Sequence, residues 1–367
     1  MSDGTRIEWT DATWSPVTGC TKVSEGCTHC YIERTPPFRM QGRKFRCPRC
    51  DGSGYVEDSD GNRLAFGKRG QFIPGDRCSR CSGTGRAGIG DTTGVRLHED
   101  RLTVPLRWRK PRRVFVCSMA DLFHGSIPDE FIARVFAVMA LAPQHTFQIL
   151  TKRPHRMRSL LRSVEFADLL GECIVEVNDG RAEYSISFPL PNVHIGVSVE
   201  DQKTADLRIP LLLTTPAAVR WLSCEPLLGP VNLPACRCLG VGSITHGRHW
   251  PDTVCDQCGG SGSQIDWVVV GGESGPGARP MHPDWARSLR DQCAAADVPF
   301  LFKQWGEWAP DGFGIGRLQR GRTYVGGIIH VESGELPYRE IMTRVGKRNA
   351  GRELDGVLHD AYPGGAS

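Results

Sequence analysis

The chain has 367 residues, with 45 Lys plus Arg against 41 Asp plus Glu and a formal net charge of +4; that balance excludes a histone-like binder whose whole surface is an electrostatic glove. Charged residues at 23% and hydrophobic residues at 40% exclude a globally disordered chain, and the length allows roughly two to three average domains or one barrel with insertions. The 15 cysteines are too few for a disulfide scaffold, yet they cluster in short pairs, the pattern of metal ligands in a reducing compartment.

The opening stretch MSDGTRIEWTDATW has neither a basic n-region nor an apolar h-region, so no signal peptide is expected. No run of about 18 apolar residues follows, so no membrane span is expected and the compartment is read as cytoplasmic. A short first strand is predicted over 13–17. Directly after it, GCTKVSEGCTHCY places Cys20, Cys27 and Cys30 in a C-x6-C-x2-C pattern. Thiolates hold iron–sulfur clusters and soft metals, and three of them leave one iron of a [4Fe-4S] cluster without a protein ligand. A zinc site with His29 as fourth ligand, and plain thiols, are the alternatives.

Residues 46–90 are rich in Gly, Ser, Asp and Cys and hold too few apolar residues for a core of their own. Two C-x-x-C-x-G-x-G units, Cys47 with Cys50 and Cys78 with Cys81, turn their sulfurs toward one ion and predict a tetrahedral zinc site. Arg43, Lys44, Arg46 and Arg49 flank the first unit, and Arg77, Arg80 and Arg86 flank the second. The stretch 107–113 (RWRKPRR) adds five basic residues around a tryptophan, and 152–158 (KRPHRMR) adds more. Such patches suit phosphate contact with stacking, so DNA or RNA is an expected partner. Ordinary solvated charge, with the module acting as a lid, is the plainer reading.

Six short apolar runs then read as strands buried on both faces: 114–119 (VFVCSM), 146–151 (TFQILT), 193–199 (VHIGVSV), 219–224 (VRWLSC), 265–270 (IDWVVV) and 299–302 (PFLF). Helical periodicity is predicted at 128–141, 155–170 and 283–296. The alternation favours an α/β fold, a closed or partial (β/α) barrel of the TIM type rather than a doubly wound sheet. A second interruption carries Cys236, Cys238, Cys255 and Cys258 and predicts a second zinc site. There His246 or His249 is an alternative ligand, and an auxiliary iron–sulfur cluster an alternative occupant. The expected layout is therefore a first strand and cluster loop (1–45), a zinc-binding insertion (46–90), barrel (91–235), a second zinc-binding insertion (236–263), barrel end (264–310) and a small C-terminal β-appendage (311–367).

Reactive groups in such a barrel gather at the carboxyl ends of the strands. Just past the runs stand Ser118 and Asp121, Thr151 and Lys152, Ser198 and Glu200, Glu225, Glu273 and Ser274, and Lys303 with Gln304. Lys152, Glu225 and Lys303 are the candidate catalytic residues, as substrate contacts or proton donors; a structural Lys–Glu ion pair is the alternative. The turn Gly271-Gly272-Glu273 permits close backbone approach to a ligand. Cys117 and Cys224 lie within predicted strands and, like Cys173 and Cys293, are read as packing residues.

The three-cysteine loop after strand one, the aromatic directly after Cys30 and the following βαβ series resemble the radical S-adenosylmethionine superfamily, with C-x6-C-x2-C here where C-x3-C-x2-C is common there. The stretches IEWTDATWSPVTGC, LFHGSIPDEFI, LTKRP, GVSVEDQ, SCEPLLGPV, VGGESGPGARPMHPDW and FKQWGEW resemble an uncharacterised family of phage and bacterial proteins that carries this motif. The likeness covers most of the chain outside the insertions. A more distant one is to spore photoproduct lyase. Locally, the paired cysteine units are similar to the zinc repeats of DnaJ-type chaperones.

The resemblance implies a radical-SAM-type barrel. Its cluster, on Cys20, Cys27 and Cys30, would bind S-adenosylmethionine at the open iron. One electron, from a donor such as flavodoxin or ferredoxin, would yield a 5′-deoxyadenosyl radical that abstracts a substrate hydrogen. It further implies Ser118, Ser198, Glu200, Gly271, Gly272 and Glu273 as contacts to S-adenosylmethionine. The expected function is modification or repair of a nucleic-acid base or nucleotide. The rivals are a non-catalytic, zinc-dependent nucleic-acid-binding protein and a magnesium-dependent nuclease using the strand-end carboxylates.

Overall fold

The structure is a computed structural model that describes residues 5, 7–34, 44–46, 56–57, 63–66, 72–74, 86–88, 94–180, 187–233, 243–244, 253–254, 264–310, 322–331 and 334–364. The chain divides into two compact units: Met1–Thr18, Lys22–Tyr31 and Leu97–Ser367 form one, and Gly19–Thr21 with Ile32–Arg96 form the other. In the smaller unit Lys44–Arg46 pairs antiparallel with Arg86–Gly88, and Val56–Glu57, Arg63–Phe66 and Phe72–Pro74 form a three-stranded antiparallel sheet. The predicted zinc ligands Cys47, Cys50, Cys78 and Cys81 lie outside the described residues, as do Cys236, Cys238, Cys255 and Cys258.

The larger unit is built on seven strands: β1 (Ala12–Trp14), β2 (Arg113–Val116), β3 (Thr146–Thr151), β4 (Val193–Ser198), β5 (Val219–Cys224), β6 (Trp267–Gly271) and β7 (Phe300–Gln304). They pair in that order, every neighbour parallel, and the sheet curls into a half-barrel. Helices α1 (Asp129–Ala140), α2 (Pro154–Leu161), α3 (Val164–Val177), α4 (Gln202–Leu213) and α5 (Pro283–Ala295) connect the strands. The reason is in the residues. Strands covered on both sides must be apolar on both sides, and β4 and β6 are buried at every position.

The observed bounds differ from the sequence pattern in instructive places. The predicted run 114–119 ends at Val116 because Cys117 turns into the left-handed region (φ 57). The single helix expected over 155–170 is two, divided at Arg162–Ser163, where the Ser163 side chain accepts the Phe166 backbone N–H and caps α3. Helix α4 carries Pro210 in its interior and no strong apolar stripe, which hid it from a periodicity argument. It starts instead from a capping box between Asp201 and Thr204.

Residues two apart on a strand share a face. The inner face at the amino ends of the strands is filled by aromatic side chains. Trp9, Trp221, Trp267, Val269 and Leu301 form a buried cluster, with Phe115, Leu150 and Tyr362 packed against it. Trp9 meets Trp221 edge to face at 5.1 Å, and Trp221 lies 5.3 Å from Trp267. Gly196 on β4 makes room for this stack, since a Cβ there would overlap the Trp221 indole.

The C-terminal region contributes two things. Trp308–Pro310, Arg322–Val331 and Gly334–Arg344 form a three-stranded antiparallel sheet. The chain then returns to the barrel: Phe302 donates its N–H to the His359 carbonyl, Ala361 N–H reaches the Phe300 carbonyl, and Trp267 Nε1 donates to the Ala361 carbonyl. This segment covers the β7 edge, which would otherwise expose unpaired backbone groups. It also sets Tyr362 against Trp267, 4.7 Å between ring centroids.

The Gly196–Trp221 contact gives a direct check on the inner packing. Gly196→Ala is expected to lower unfolding stability by about 1–3 kcal/mol through overpacking, measured by urea denaturation. In a Trp221→Leu background the added methyl has space, and the same substitution should cost less than half as much.

Candidate functional site

At the carboxyl ends of the strands the inner face changes from aromatic to ionic. Glu200 follows β4 and is fully buried. Its backbone is fixed by the cap of α4, because its N–H donates to Thr204 Oγ1 at 2.9 Å. Its carboxylate gathers three elements. Lys152 Nζ, just past β3, lies 2.7 Å from Oε1; Arg208 Nη1 of α4 donates to Oε2 at 2.9 Å; Ser24 Oγ donates to Oε1 at 3.0 Å. Burial pushes the Glu200 carboxyl up, but Lys152, Arg208 and the Ser24 hydrogen bond outweigh burial and hold it below its ordinary value.

Glu225 follows β5. Lys303 Nζ donates to both of its oxygens at 2.8 Å, and Gln304 Nε2 adds a third bond at 3.1 Å while also reaching Ser274 Oγ. Glu273 follows β6 and is clamped by Arg279, whose backbone N–H, Nε and Nη2 donate at 2.8, 2.9 and 2.7 Å. Asp121, beyond β2, accepts from Thr151 Oγ1 and from the backbone N–H groups of Phe123 and Lys152.

Residues 22–31 lie on these strand ends. Besides Ser24, the Glu25 carbonyl accepts from Arg279 Nη2 at 2.9 Å, and the Tyr31 hydroxyl donates to the Ser118 carbonyl. Gly26 sits directly on Glu200, where a Cβ would overlap the carboxylate. Cys27 is buried with its sulfur 3.9 Å from Ser24 Oγ, and Cys30 is half-buried in the same segment. Cys20 belongs to the smaller unit. Among the described residues, no group of three or more His, Cys, Asp or Glu side chains is arranged to hold a metal ion.

The predicted catalytic and S-adenosylmethionine-contacting residues stand at the carboxyl ends of the strands, and most have internal partners. Lys152 pairs with Glu200, and Lys303 with Glu225. Ser198 is buried and its carbonyl accepts from Arg208; Ser118 lies 3.4 Å from Ser15 by its hydroxyl. The Gly271-Gly272 turn serves a close crossing of main chains. A Cβ on Gly272 would overlap the Trp305 carbonyl, and Gly306 (φ +84) packs on the Glu273 carbonyl. Gly271 faces the Glu225 carboxylate, 3.3 Å from where its Cβ would stand. Cys117, Cys173, Cys224 and Cys293 are buried, and burial pushes the Cys117 and Cys293 thiols up to about 12.

Sequence reasoning missed Ser24, Arg208 and Arg279. Arg208 was the most accessible of them to inspection: a cation among the apolar residues of DLRIPLLL needs a buried partner. The basic patches also divide. Residues 107–112 directly precede β2, so they lie at the amino ends of the strands, opposite the ionic end. In the 152–158 run, Lys152 bonds Glu200, Arg156 bonds Asp129 and the His124 and Ile127 carbonyls, and Arg158 bonds Thr214.

The chain belongs to the family described as Protein of unknown function (DUF5131), whose model matches residues 4–363. No curated protein and no solved structure matches it. Among the described residues no helix is long and apolar enough to cross a membrane.

Glu200→Gln leaves Lys152 and Arg208 without their counter-charge, and a loss of about 3–5 kcal/mol is expected on unfolding. The folded carboxyl titrates below its unfolded value of 4.5. Its stabilisation is therefore complete above that value and is lost as pH falls through the lower folded value. Urea titrations at several acidic pH values should show this decline in the wild-type protein and a flatter profile in Glu200→Gln.

Proposed function

We propose that this member of the family is a radical S-adenosylmethionine enzyme working at the carboxyl-end mouth of its half-barrel. The observation that carries the reading is the seat of residues 22–31. The segment bearing Cys27 and Cys30 touches the ends of β2, β4 and β6 through Tyr31, Ser24 and Glu25. The donor chemistry fits: three thiols within one short stretch suit an iron–sulfur cluster better than a hard cation. Cys20, Cys27 and Cys30 would hold the [4Fe-4S] cluster. With S-adenosylmethionine bound, that group supplies hydrogen-abstraction chemistry, with a flavodoxin or ferredoxin as electron donor.

The chain's own residues have definable tasks in this reading. Lys152 and Arg208 share a single carboxylate, Glu200. The trio has a surplus positive charge that favours an anionic group such as the carboxylate of S-adenosylmethionine. Lys303 donates two hydrogen bonds to Glu225, which leaves its ammonium one further donor. With the Glu225 oxygens beside it, the pair offers adjacent donor and acceptor functions, the complement of a nucleobase edge. A base or nucleotide is the substrate class this supports, with Lys303 and Glu225 able to hand over or receive a proton. The cysteine pairs of 46–90 and 236–263 would hold structural Zn2+.

Anaerobic purification with metal and sulfide analysis tests the proposal. A brown protein with acid-labile sulfide, two zinc ions per chain and reductant-dependent cleavage of S-adenosylmethionine is the expected result. Cys27→Ala and Cys30→Ala should lose iron, sulfide and colour together. Lys303→Met should keep the iron and sulfide and lower turnover, with some loss of stability from the unpaired Glu225. A colourless protein with zinc in all three cysteine sites would instead mark a non-catalytic nucleic-acid binder. Magnesium-dependent hydrolysis without any iron requirement would mark a nuclease.

A further inference from the structure

The basic stretch before β2 stands apart from the mouth. Arg107, Arg109 and Lys110 are exposed, and none has an ion-pair or hydrogen-bond partner among the described residues. Four other cations around the barrel are by contrast tied down: Arg113 to Asp11, Arg134 to Glu99, Arg287 to Asp355 and Arg352 to Asp360.

The ground beneath the three free cations is rigid. Arg112 lies over the Trp108 ring at 5.0 Å, and that ring packs edge to face on the buried His145 at 5.7 Å. Trp108 N–H is bonded to the Pro105 carbonyl, and the Trp108 carbonyl accepts from Gln144. The main chain that carries them is thereby ordered in advance, so binding a polyanion costs side-chain freedom alone.

We infer that Arg107, Arg109 and Lys110 form a phosphate-backbone docking face for a nucleic-acid strand at the amino end of the half-barrel, separate from the reactive mouth. The chemistry selects among polyanions. Stable seating on a membrane takes an inserted apolar side chain or a larger basic cluster than three cations, yet Trp108 is capped by Arg112, and no large apolar residue between 104 and 113 is exposed. The same cap withholds the indole from base stacking, so the contact reads charge and not sequence. The strands between the two ends are three to six residues long, roughly 10–20 Å at the rise of a strand. One strand held by its phosphates at the amino end can therefore lie along the molecule toward the mouth. The inference does not depend on the chemistry proposed for the mouth.

The test is binding of the full-length protein to a short single-stranded oligonucleotide over a series of salt concentrations. Three neutralised phosphates contribute about 2 to the slope of log K against log salt for a single strand. Arg107→Gln/Arg109→Gln/Lys110→Gln should lower the slope by about that amount. The charge-preserving Arg107→Lys/Arg109→Lys should keep the wild-type slope. An unchanged melting temperature in both shows that folding is intact. An unaltered slope in the neutralised variant overturns the inference. So does wild-type binding to an acidic peptide or a phosphatidylserine vesicle in preference to the oligonucleotide. Iron content plays no part in this measurement, so its failure leaves the reading of the mouth standing, and the reverse.

Discussion

The buried carboxylate of Glu200 is the point on which the ionic end of the molecule depends. It is met by a lysine from the end of β3, an arginine from α4 and a serine from residues 22–31. A fully buried anion is stable only where its partners are in place. The carboxylate therefore requires that three separately folded elements arrive together. It also requires a glycine at position 26, since any side chain there would occupy the space of the carboxylate. The cysteine-bearing segment is thus positioned by the barrel through an electrostatic condition, and its own few residues need not form a core.

The half-barrel separates two tasks along its length. At the amino ends the inner face is closed by indole rings and by Tyr362 returning from the C-terminal region. That packing supplies apolar burial, and the returning segment covers the edge that an open sheet would leave exposed. At the carboxyl ends the same strands present Lys152, Glu200, Glu225, Glu273 and Lys303. The ordering is physical. Strand ends are where side chains escape the closely packed layers and where loops can bring partners from several elements. A rigid apolar base under a polar rim holds ionic groups in fixed geometry, which is the condition for electrostatic preorganisation.

The ion pairs at the mouth bear first on stability. Lys303 with Glu225 and Lys152 with Glu200 satisfy the charge that a low-dielectric site would otherwise penalise. Glu200 is fully enclosed, while Lys152, Lys303 and Glu225 remain partly exposed. The Glu273–Arg279 clamp is different. Arg279 gives the carboxylate three hydrogen bonds, one from its backbone N–H, and its Nη2 also reaches the Glu25 carbonyl. Glu273 thus acts through the position of residues 22–31. The glycines beside it likewise permit the β6 and β7 ends to cross.

Much of the frame was legible in the residues because burial on both faces imposes apolar runs. The six runs from 114 to 302 correspond to β2 through β7, and the polar residue after each marks the end where the ionic groups gather. What a linear pattern could not contain was partnership. Nothing near Lys152 in sequence announces Glu200, 48 residues on, and Lys303 meets Glu225 only because β5 and β7 flank β6 in the curled sheet. The same reason separated the two basic stretches, since position before or after a strand fixes which end of a parallel barrel a residue occupies. The amino-acid sequence by itself determined the α/β class, the strands and the end that carries the polar groups, because these follow from local periodicity and burial. Only the tertiary structure decided which charges neutralise one another, because Coulomb energy depends on distances that the fold alone sets.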